Sequence, residues 1–319
     1  MDRGRVHPRT RGIVFLSPRA RRRSIWIRLQ GSRWAFPRGS ARGRQTRHGE
    51  HVMIASIRAI DVETARNLKG IFFDIDDTFT TNGKIPAVAY QGLWTLKESG
   101  LKVVPITGRP AGWCDHIARM WPVDAVVGEN GAFYFRFDER AGKLTKRFLD
   151  PAPVRCEKRV LLQAVEKDVL SSVPGTALAS DQPYRETDLA IDFREDVEPL
   201  GWPAVERICA VFRKHGATCK VSSIHVNGWF GDYNKLHMTR IMANELWGVD
   251  LEADRRFYLF CGDSPNDEPM FEFFPHSAGV RNVLQFADRM SRLPAFVADR
   301  EGGAGFAEIA ETVLSLRAT

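Results

Sequence analysis

Along most of the chain after residue 66, short continuous apolar runs alternate with stretches in which apolar residues recur at helical spacing. Each apolar run ends in polar residues, as is typical of strands that are buried on both faces of a parallel sheet. Helical spacing between the runs predicts amphipathic helices that connect such strands. The alternation therefore predicts an α/β fold with a doubly wound parallel sheet. The apolar runs lie at residues 70–73, 103–106, 125–127 and 257–261.

Residues 152–231 have a different pattern, in which two amphipathic helices are combined with period-2 alternation. Apolar and polar residues alternate over 188–193 and 224–227, which predicts strands with one buried face and one open face. We expect an α+β cap domain at 152–231. It would be inserted into a Rossmann-like core that is formed by residues 61–151 and 232–319.

Residues 1–52 carry the basic character of the chain. They contain 14 arginines, no lysine and two acidic residues, a formal charge of +12, whereas the remainder carries −5. Because the segment also lacks clear periodicity, we expect residues 1–60 to be a disordered, Arg-rich tail. It could bind nucleic acid, act as an organelle transit peptide, or be translated upstream sequence with Met53 as the true start. The abrupt change to mixed-charge sequence after Met53 favours the last interpretation.

The composition is that of a globular protein in a reducing compartment. Hydrophobic residues make up 44% of the chain and charged residues 27%, proportions that suit a folded core. The five cysteines are odd in number and form no CxxC motif, which favours a cytoplasmic location over a disulfide framework. No apolar run approaches the ~18–20 residues that a membrane-spanning helix needs, so we expect no membrane partner.

Polar residues follow several predicted strands at their carboxyl ends, where ligands bind in open α/β sheets. Asp74 and Asp76 follow the first run, Thr107 follows the second, and Asp263 and Asp267 follow a late one. Folding would bring Asp74, Asp263 and Asp267 into one crevice, where unpaired carboxylates repel each other strongly. A hard divalent cation with oxygen ligands removes that repulsion, which predicts an Mg²⁺ site.

Four motifs occur in order at this predicted edge. They are FDIDDT at 73–78, ITGRP at 106–110, Lys235, and GDSPND at 262–267. The lysine and the threonine hydroxyl of the second motif could supply the partners that a phosphate needs. Between residues 66 and 315, this set resembles the motifs of haloacid-dehalogenase-like hydrolases, which begin with DxDxT and end with GDxxND.

The resemblance implies a role for each motif residue. Asp74 is the nucleophile that becomes an aspartyl phosphate, and Asp76 is the general acid and base. Thr107 and Lys235 hold the transferred phosphoryl group, and Asn266 orients the phosphate or a metal ligand. The implied metal ligands are the Asp74 carboxylate, the Asp76 backbone carbonyl, Asp263 and Asp267.

The position of the cap narrows the resemblance. Few residues separate the first motif from the next helix, whereas residues 108–234 leave room for a cap before the lysine. This arrangement is similar to the type IIB, Cof-like branch, and NGA at 130–132 matches an element of that branch. EGGAGF at 301–306 is similar to a segment of sucrose-phosphate and mannosyl-3-phosphoglycerate phosphatases. The resemblance thus implies hydrolysis of a phosphate monoester, with a sugar phosphate as the expected substrate.

Five further residues are candidate substrate contacts. His225 and Asn227 share one face of a predicted cap strand, where they could bind a sugar or belong to a hinge strand with satisfied polar groups. Arg109 could contact the substrate or act as a structural salt-bridge donor. Asn130 and Arg185 are also candidate substrate-binding residues.

Two other functions stay open on the sequence alone. Phosphosugar mutases such as phosphomannomutases resemble the same branch, but a mutase returns the phosphoryl group whereas a phosphatase admits water. A non-enzymatic RNA-binding or scaffold protein could use the Arg-rich tail. The complete motif set favours an enzyme whose partner is a small phosphorylated metabolite, and it argues against nucleic acid as the partner.

Overall fold

The computed structural model of the protein describes residues 24–28 and 51–318. In chain order, the strands of these residues are β1 (Ser24–Arg28), β2 (His51–Ser56), β3 (Gly70–Phe73), β4 (Lys102–Pro105), β5 (Val126–Gly128), β6 (Phe133–Asp138), β7 (Lys143–Phe148), β8 (Ala177–Leu178), β9 (Leu189–Asp192), β10 (Thr218–Val221), β11 (His225–Trp229), β12 (Tyr258–Gly262), β13 (His276–Gly279) and β14 (Phe296–Val297). The α-helices are α1 (Val62–Asn67), α2 (Ala87–Glu98), α3 (Ala111–Met120), α4 (Ala152–Ser172), α5 (Trp202–Lys214), α6 (Lys235–Trp247), α7 (Leu251–Asp254), α8 (Glu268–Phe273) and α9 (Gly302–Ala318).

The largest sheet has seven strands in the order β1-β2-β14-β13-β12-β3-β4. β1 runs antiparallel to β2, and the other neighbouring strands run parallel to each other. On β3, Ile71 and Phe73 point into a core that is covered by α2 and α9, whereas Phe72 points into a core that is covered by α6 and α8. Helices on both faces explain why the strand sequences are continuously apolar. The predicted doubly wound, Rossmann-like α/β class is confirmed.

The first strands of this sheet correct the predicted limits of the tail. β1 and β2 lie within residues 1–60, where we expected disorder, and residues 55–56 of β2 pair with β14. Ile54 and Ile57 are 2% and 0% exposed, so they belong to the core. β2 pairs with β14, which lies far along the chain, so the sequence around this short strand does little to predict it. The interpretations offered for residues 1–23 and 29–50 lie outside the described residues.

The inserted unit packs two helices on one face of an antiparallel sheet of order β10-β11-β9-β8. Leu189, Ile191 and Val226 point towards α4 and α5 and form the core of this unit with them. His225 and Asn227 lie on the opposite face, which is turned towards the carboxyl edge of the central sheet. We call residues 152–231 the cap and the rest of the described chain the core domain.

A smaller antiparallel sheet, β5-β6-β7, continues the central sheet beyond β4. The connection is a parallel bridge between Ile106 and Val127, so the loops after β4 and β5 end at the same edge. Within the described ranges, none of the helices combines the length and apolar character that a membrane crossing requires.

Candidate active site

Residues of the predicted motifs meet at the carboxyl edge of the central sheet. Asp74 directly follows β3, and its amide donates a hydrogen bond to the Cys261 carbonyl of β12 at 2.9 Å. Asp263 directly follows β12, and Lys235 is the first residue of α6. Lys235 Nζ lies 3.0 Å from Asp74 Oδ1 and 2.7 Å from Asp267 Oδ1. Segments that are distant in the chain therefore form one buried cluster of charge.

Three carboxylates of this cluster lie close enough to share one cation. Oxygen atoms of Asp74, Asp263 and Asp267 lie within 4.8 Å of one another, and all three side chains are buried. The pKa of Asp74 is raised to about 7. Burial and the negative charges of Asp267 and Asp76 raise it, and the positive charge of Lys235 opposes part of this shift. Burial and adjacent carboxylates also raise the pKa of Asp263 well above its usual range. Since Lys235 offsets only part of this negative charge, the oxygen-only donor set fits a hard divalent cation such as Mg²⁺.

The hydrogen bonds distinguish an anchoring carboxylate from those that are better placed to bind a metal. Asp267 Oδ2 accepts from two backbone amides at 3.0 and 3.3 Å, one of them that of Asp263, while its Oδ1 pairs with Lys235. Asp263 Oδ1 accepts from the Thr78 hydroxyl at 2.8 Å. The geometry suits Asp74 and Asp263 as metal ligands, with Asp267 fixing the loop and the lysine.

The second motif lies beside the candidate nucleophile. The Ile106 amide donates to the Phe73 carbonyl at 2.7 Å, which places Thr107 next to Asp74 at the sheet edge. Thr107 is fully buried, and its hydroxyl accepts from the Arg109 amide at 3.0 Å. The hydroxyl is therefore held in a fixed position, where it could donate its own proton to a ligand oxygen.

Asn130 and Asn266 bring amide side chains to the same edge. The Asn130 backbone amide donates to the Thr107 carbonyl at 3.0 Å, and the residue is held in the left-handed region with φ of 54°. Asn130 Nδ2 is buried and has no hydrogen-bond partner in the part of the chain that the structure describes. Asn266 Oδ1 accepts from the Ser264 hydroxyl at 2.9 Å. A buried amide donor without a partner suits the binding of a ligand oxygen.

Arg109 links the predicted general acid to the cap. Its Nε and Nη2 donate to both oxygens of Asp76 at 2.9 to 3.0 Å. Nη1 donates to Asp181 at 3.1 Å, and Nη2 donates to Glu195 at 2.7 Å. The guanidinium lies 4.4 Å from the centroid of the Trp113 ring. Arg109 therefore makes structural ion pairs, one of the two roles considered for it from the sequence.

Arg185 and Asn227 form a polar layer on the cap. Arg185 donates to Asp181 at 2.9 Å and to Asp188 at 3.0 Å. It also donates to the Gly108 carbonyl of the core domain at 2.9 Å. Asn227 Nδ2 donates to Asp188 at 3.0 Å. The candidate substrate contacts of the cap are thus held by carboxylates that are themselves buried.

His225 lies two residues before Asn227 and on the same face of β11. Its Nε2 is 2.9 Å from Glu195 Oε2. Burial raises the pKa of Glu195, but the adjacent His225 ring and the hydrogen bonds from Arg109 outweigh this effect and bring the pKa to about 2. His225, Glu195 and Arg109 therefore connect the cap strand to the predicted general acid, a connection that neither sequence interpretation of His225 included.

Sequence reasoning missed Glu129, a buried carboxylate that joins the core domain to the cap. Its oxygens accept from the backbone amides of Ala111 and Glu186 at 2.9 Å and of Thr187 at 2.6 Å. Burial and the nearby charge of Asp188 raise the pKa of Glu129 to about 7, despite these hydrogen bonds. Its position just after the predicted strand at 125–127 is the sequence feature that could have identified it as a site residue.

Glu195 and Asp188 were missed as well. Glu195 lies in the charged run 194–196, a pattern that is typical of a solvated loop, and Asp188 occupies a polar position of an alternating strand. Neither pattern shows that the side chain faces another domain.

Comparisons with known proteins agree with this architecture. A family model described as haloacid dehalogenase-like hydrolase matches residues 71–155. A search of curated protein sequences found no match.

Three solved structures illustrate the similarity in fold. Protein 0175 of Thermoplasma acidophilum is 18% identical, with a TM-score of 0.58 over 79% of this chain and 99% of that one. A HAD/COF-like hydrolase from Plasmodium vivax is 16% identical, with a TM-score of 0.57 over 80% of this chain and 100% of that one. The sucrose-phosphatase of Synechocystis sp. PCC6803, solved with sucrose and phosphate, is 18% identical, with a TM-score of 0.53 over 79% of this chain and 98% of that one. As the four motifs predicted, the chain thus carries the sequence signature of haloacid dehalogenase-like hydrolases over residues 71–155 and their fold over 79% of its length.

Proposed function

We propose that the protein is an Mg²⁺-dependent phosphatase that hydrolyses a phosphate monoester through an aspartyl phosphate on Asp74. The observation that carries this proposal is the buried cluster in which Lys235 contacts Asp74 and Asp267 while Asp263 lies within reach of the same cation. A lysine that is itself 2% exposed and sits between two carboxylates has the charge and position to hold a phosphoryl group beside the nucleophile.

The chain's own residues supply both halves of the reaction. An Asp74 oxygen attacks phosphorus, and the bond from phosphorus to the leaving oxygen breaks as Asp76 donates a proton to that oxygen. In the second half, Asp76 takes a proton from water, which attacks the aspartyl phosphate and releases inorganic phosphate. Thr107, Lys235 and Asn266 hold and orient the phosphoryl oxygens throughout.

The metal would be held by Asp74, Asp263 and the Asp76 backbone carbonyl, with Asp267 anchoring the loop. A bound Mg²⁺ neutralises negative charge as the phosphoryl group is transferred. Asp76 must leave its paired contact with Arg109 before it can donate a proton. The position of this arginine therefore decides when the acid is available.

The proposed substrate class is a sugar phosphate. The cap presents carboxylates, a histidine and an amide to the core domain, and such groups bind sugar hydroxyls. Arg109, Asn130, Arg185, His225 and Asn227 are the proposed contacts for the leaving group of such a substrate. The solved sucrose-phosphatase with a similar fold supports this class.

A panel of phosphorylated metabolites with Mg²⁺ and with EDTA tests the proposal. Hydrolysis should require the metal, and Asp263→Ala should raise the Mg²⁺ concentration needed, since it removes a hard ligand. Asp74→Asn should abolish turnover and the phosphorylated protein that is seen by mass spectrometry. Asp115→Asn, on the outer surface of α3, is the matched control and should retain activity.

Full activity in Asp74→Asn or metal-independent hydrolysis would refute the site. A phosphosugar mutase would instead yield an isomerised sugar phosphate when a bisphosphate activator is added. We expect inorganic phosphate as the product both with and without the bisphosphate activator.

A further inference from the structure

Two cysteines of the cap lie side by side. Cys209 is on α5 and Cys219 is on β10, and the turn at 215–217 folds these two elements against each other. Cys219 Sγ donates to the Cys209 carbonyl at 3.8 Å, and the two thiols lie close enough to shift each other's pKa. Cys209 is 8% exposed, and Cys219 is half-buried and packs against the core of the cap.

The surroundings give the two sulfurs different reactivity. The hydrogen bond from Cys209 lowers the pKa of the Cys219 thiol against the effect of burial, and the charges of Arg213 and Lys220 assist it. The same hydrogen bond and burial raise the pKa of Cys209. A half-buried sulfur with two cationic neighbours is the reactive type of cysteine, and a protonated neighbour suits the resolving role.

A cavity reaches one member of this pair, Cys209, and Val221 of the strand that carries Cys219. It has a volume of about 710 Å³, lies between the cap and the core domain, and is lined by Cys209, Arg213 and Arg289 among others. Arg289 lies 4.2 Å from the centroid of the Trp202 ring, which holds its charge at the cavity wall. Glu206 and Asp288 also line this cavity, so its wall carries charges of both signs.

The pair is also connected to the catalytic edge. β10, which carries Cys219, packs against the 3₁₀ turn Pro265–Asp267. Asp267 belongs to this turn and pairs with Lys235 at 2.7 Å. A change in the position of β10 would therefore reach the carboxylate that holds the lysine.

We propose that Cys209 and Cys219 form a reversible intramolecular disulfide that makes the cap responsive to low-molecular-weight disulfides. The Cys219 thiolate attacks the reagent, the sulfur–sulfur bond of the reagent breaks, and one thiolate leaves. Cys209 loses its proton to that thiolate, attacks the Cys219 sulfur and displaces the second thiol. The two cysteines lose two electrons and two protons in total, and the reagent is reduced to two thiols.

Oxidised glutathione is the probe, added to the full chain with Cys156 replaced by serine because that residue is an exposed third thiol. Cys114 and Cys261 are fully buried and should not react. We expect a loss of two hydrogens, a linked peptide that contains Cys209 and Cys219, and reversal by dithiothreitol. Cys209→Ser should stop at a glutathione adduct on Cys219, and Cys219→Ser should give neither product. No reaction, or an adduct that persists when both cysteines are present, would overturn the proposal.

Activity tests the connection to the catalytic turn. Disulfide formation should lower kcat/KM for p-nitrophenyl phosphate by at least about threefold, because it shifts groups that must be positioned closely. The Cys209→Ser variant should form no disulfide, and dithiothreitol should restore the oxidised protein. A complete disulfide with unchanged kcat/KM would overturn this connection. The mass measurement needs no phosphatase activity, so failure of the disulfide and failure of the proposed function are distinguishable.

Discussion

Replacing Lys235 by methionine tests the charge balance at the centre of the candidate site. Lys235 is 2% exposed and lies 3.0 Å from Asp74 and 2.7 Å from Asp267. Methionine keeps an unbranched apolar side chain of similar length, so the variant removes the charge while most of the packing is retained. The remaining carboxylates, including Asp263, would then repel each other without an opposite charge from the protein.

The structure sets the size of the expected loss. Removing one partner of a buried ion pair typically costs about 3–5 kcal/mol of unfolding free energy, since a buried charge is left uncompensated. We expect Lys235→Met to lose an amount in this range in EDTA. Saturating Mg²⁺ should recover part of the loss, because a ligand at 100 times its Kd stabilises the folded state by about 2.7 kcal/mol.

Urea unfolding, followed by circular dichroism with EDTA and with Mg²⁺, measures both quantities. Lys69→Met is the matched control, since this lysine is 52% exposed and pairs with Asp254 at 3.3 Å on the surface. Such a pair contributes about 1 kcal/mol or less, and Mg²⁺ should not affect it specifically. If Lys235→Met and Lys69→Met lost equal stability in EDTA, the carboxylates at the sheet edge would not depend on the lysine, and the reasoning would be wrong.

Three further predictions concern the cap and β2. Because the pKa of Glu195 is lowered from 4.5 to about 2 on folding, the wild type should hold this stabilisation above pH 4.5 and lose it as the pH falls towards 2. Urea unfolding across this range should show a smaller acid-dependent loss in Glu195→Gln, and an identical pH dependence would contradict the ion pairs. His225→Ala and Asn227→Ala should reduce kcat/KM for the preferred sugar phosphate between about threefold and about a hundredfold, but affect p-nitrophenyl phosphate much less. Equal losses on both esters would mean that the two residues maintain structure only. A chain that starts at Met53 lacks β1 and the first two residues of β2, but it keeps the buried Ile54 and the pairing of residues 55–56 with β14, so it should fold and hydrolyse phosphate esters like the full chain. Insoluble protein would show that the fold requires β1 or other residues before Met53.

The sequence by itself determined the layered fold and predicted which polar residues meet at the sheet edge. Both follow from local patterns, because a strand that is buried on two faces must be continuously apolar and must end before its polar residues. The order of strands and helices then places Asp74, Thr107 and Asp263 at one edge. Lys235 joins them because it is the first residue of α6, whose helical pattern was also visible in the sequence.

Only the tertiary structure decided which partners these residues have across the two domains. Arg109 pairs with Asp181 and Glu195, and Glu129 accepts hydrogen bonds from the backbone of the cap. These contacts depend on how the cap docks on the core domain. The periodicity of the cap sequence or of the core sequence does not predict that arrangement. The same reason applies to β2, which becomes a strand of the central sheet by pairing with residues 296–297 near the other end of the chain. A charged or weakly apolar segment has one sequence pattern whether it faces water or another domain, and the packing of the whole chain decides between the two.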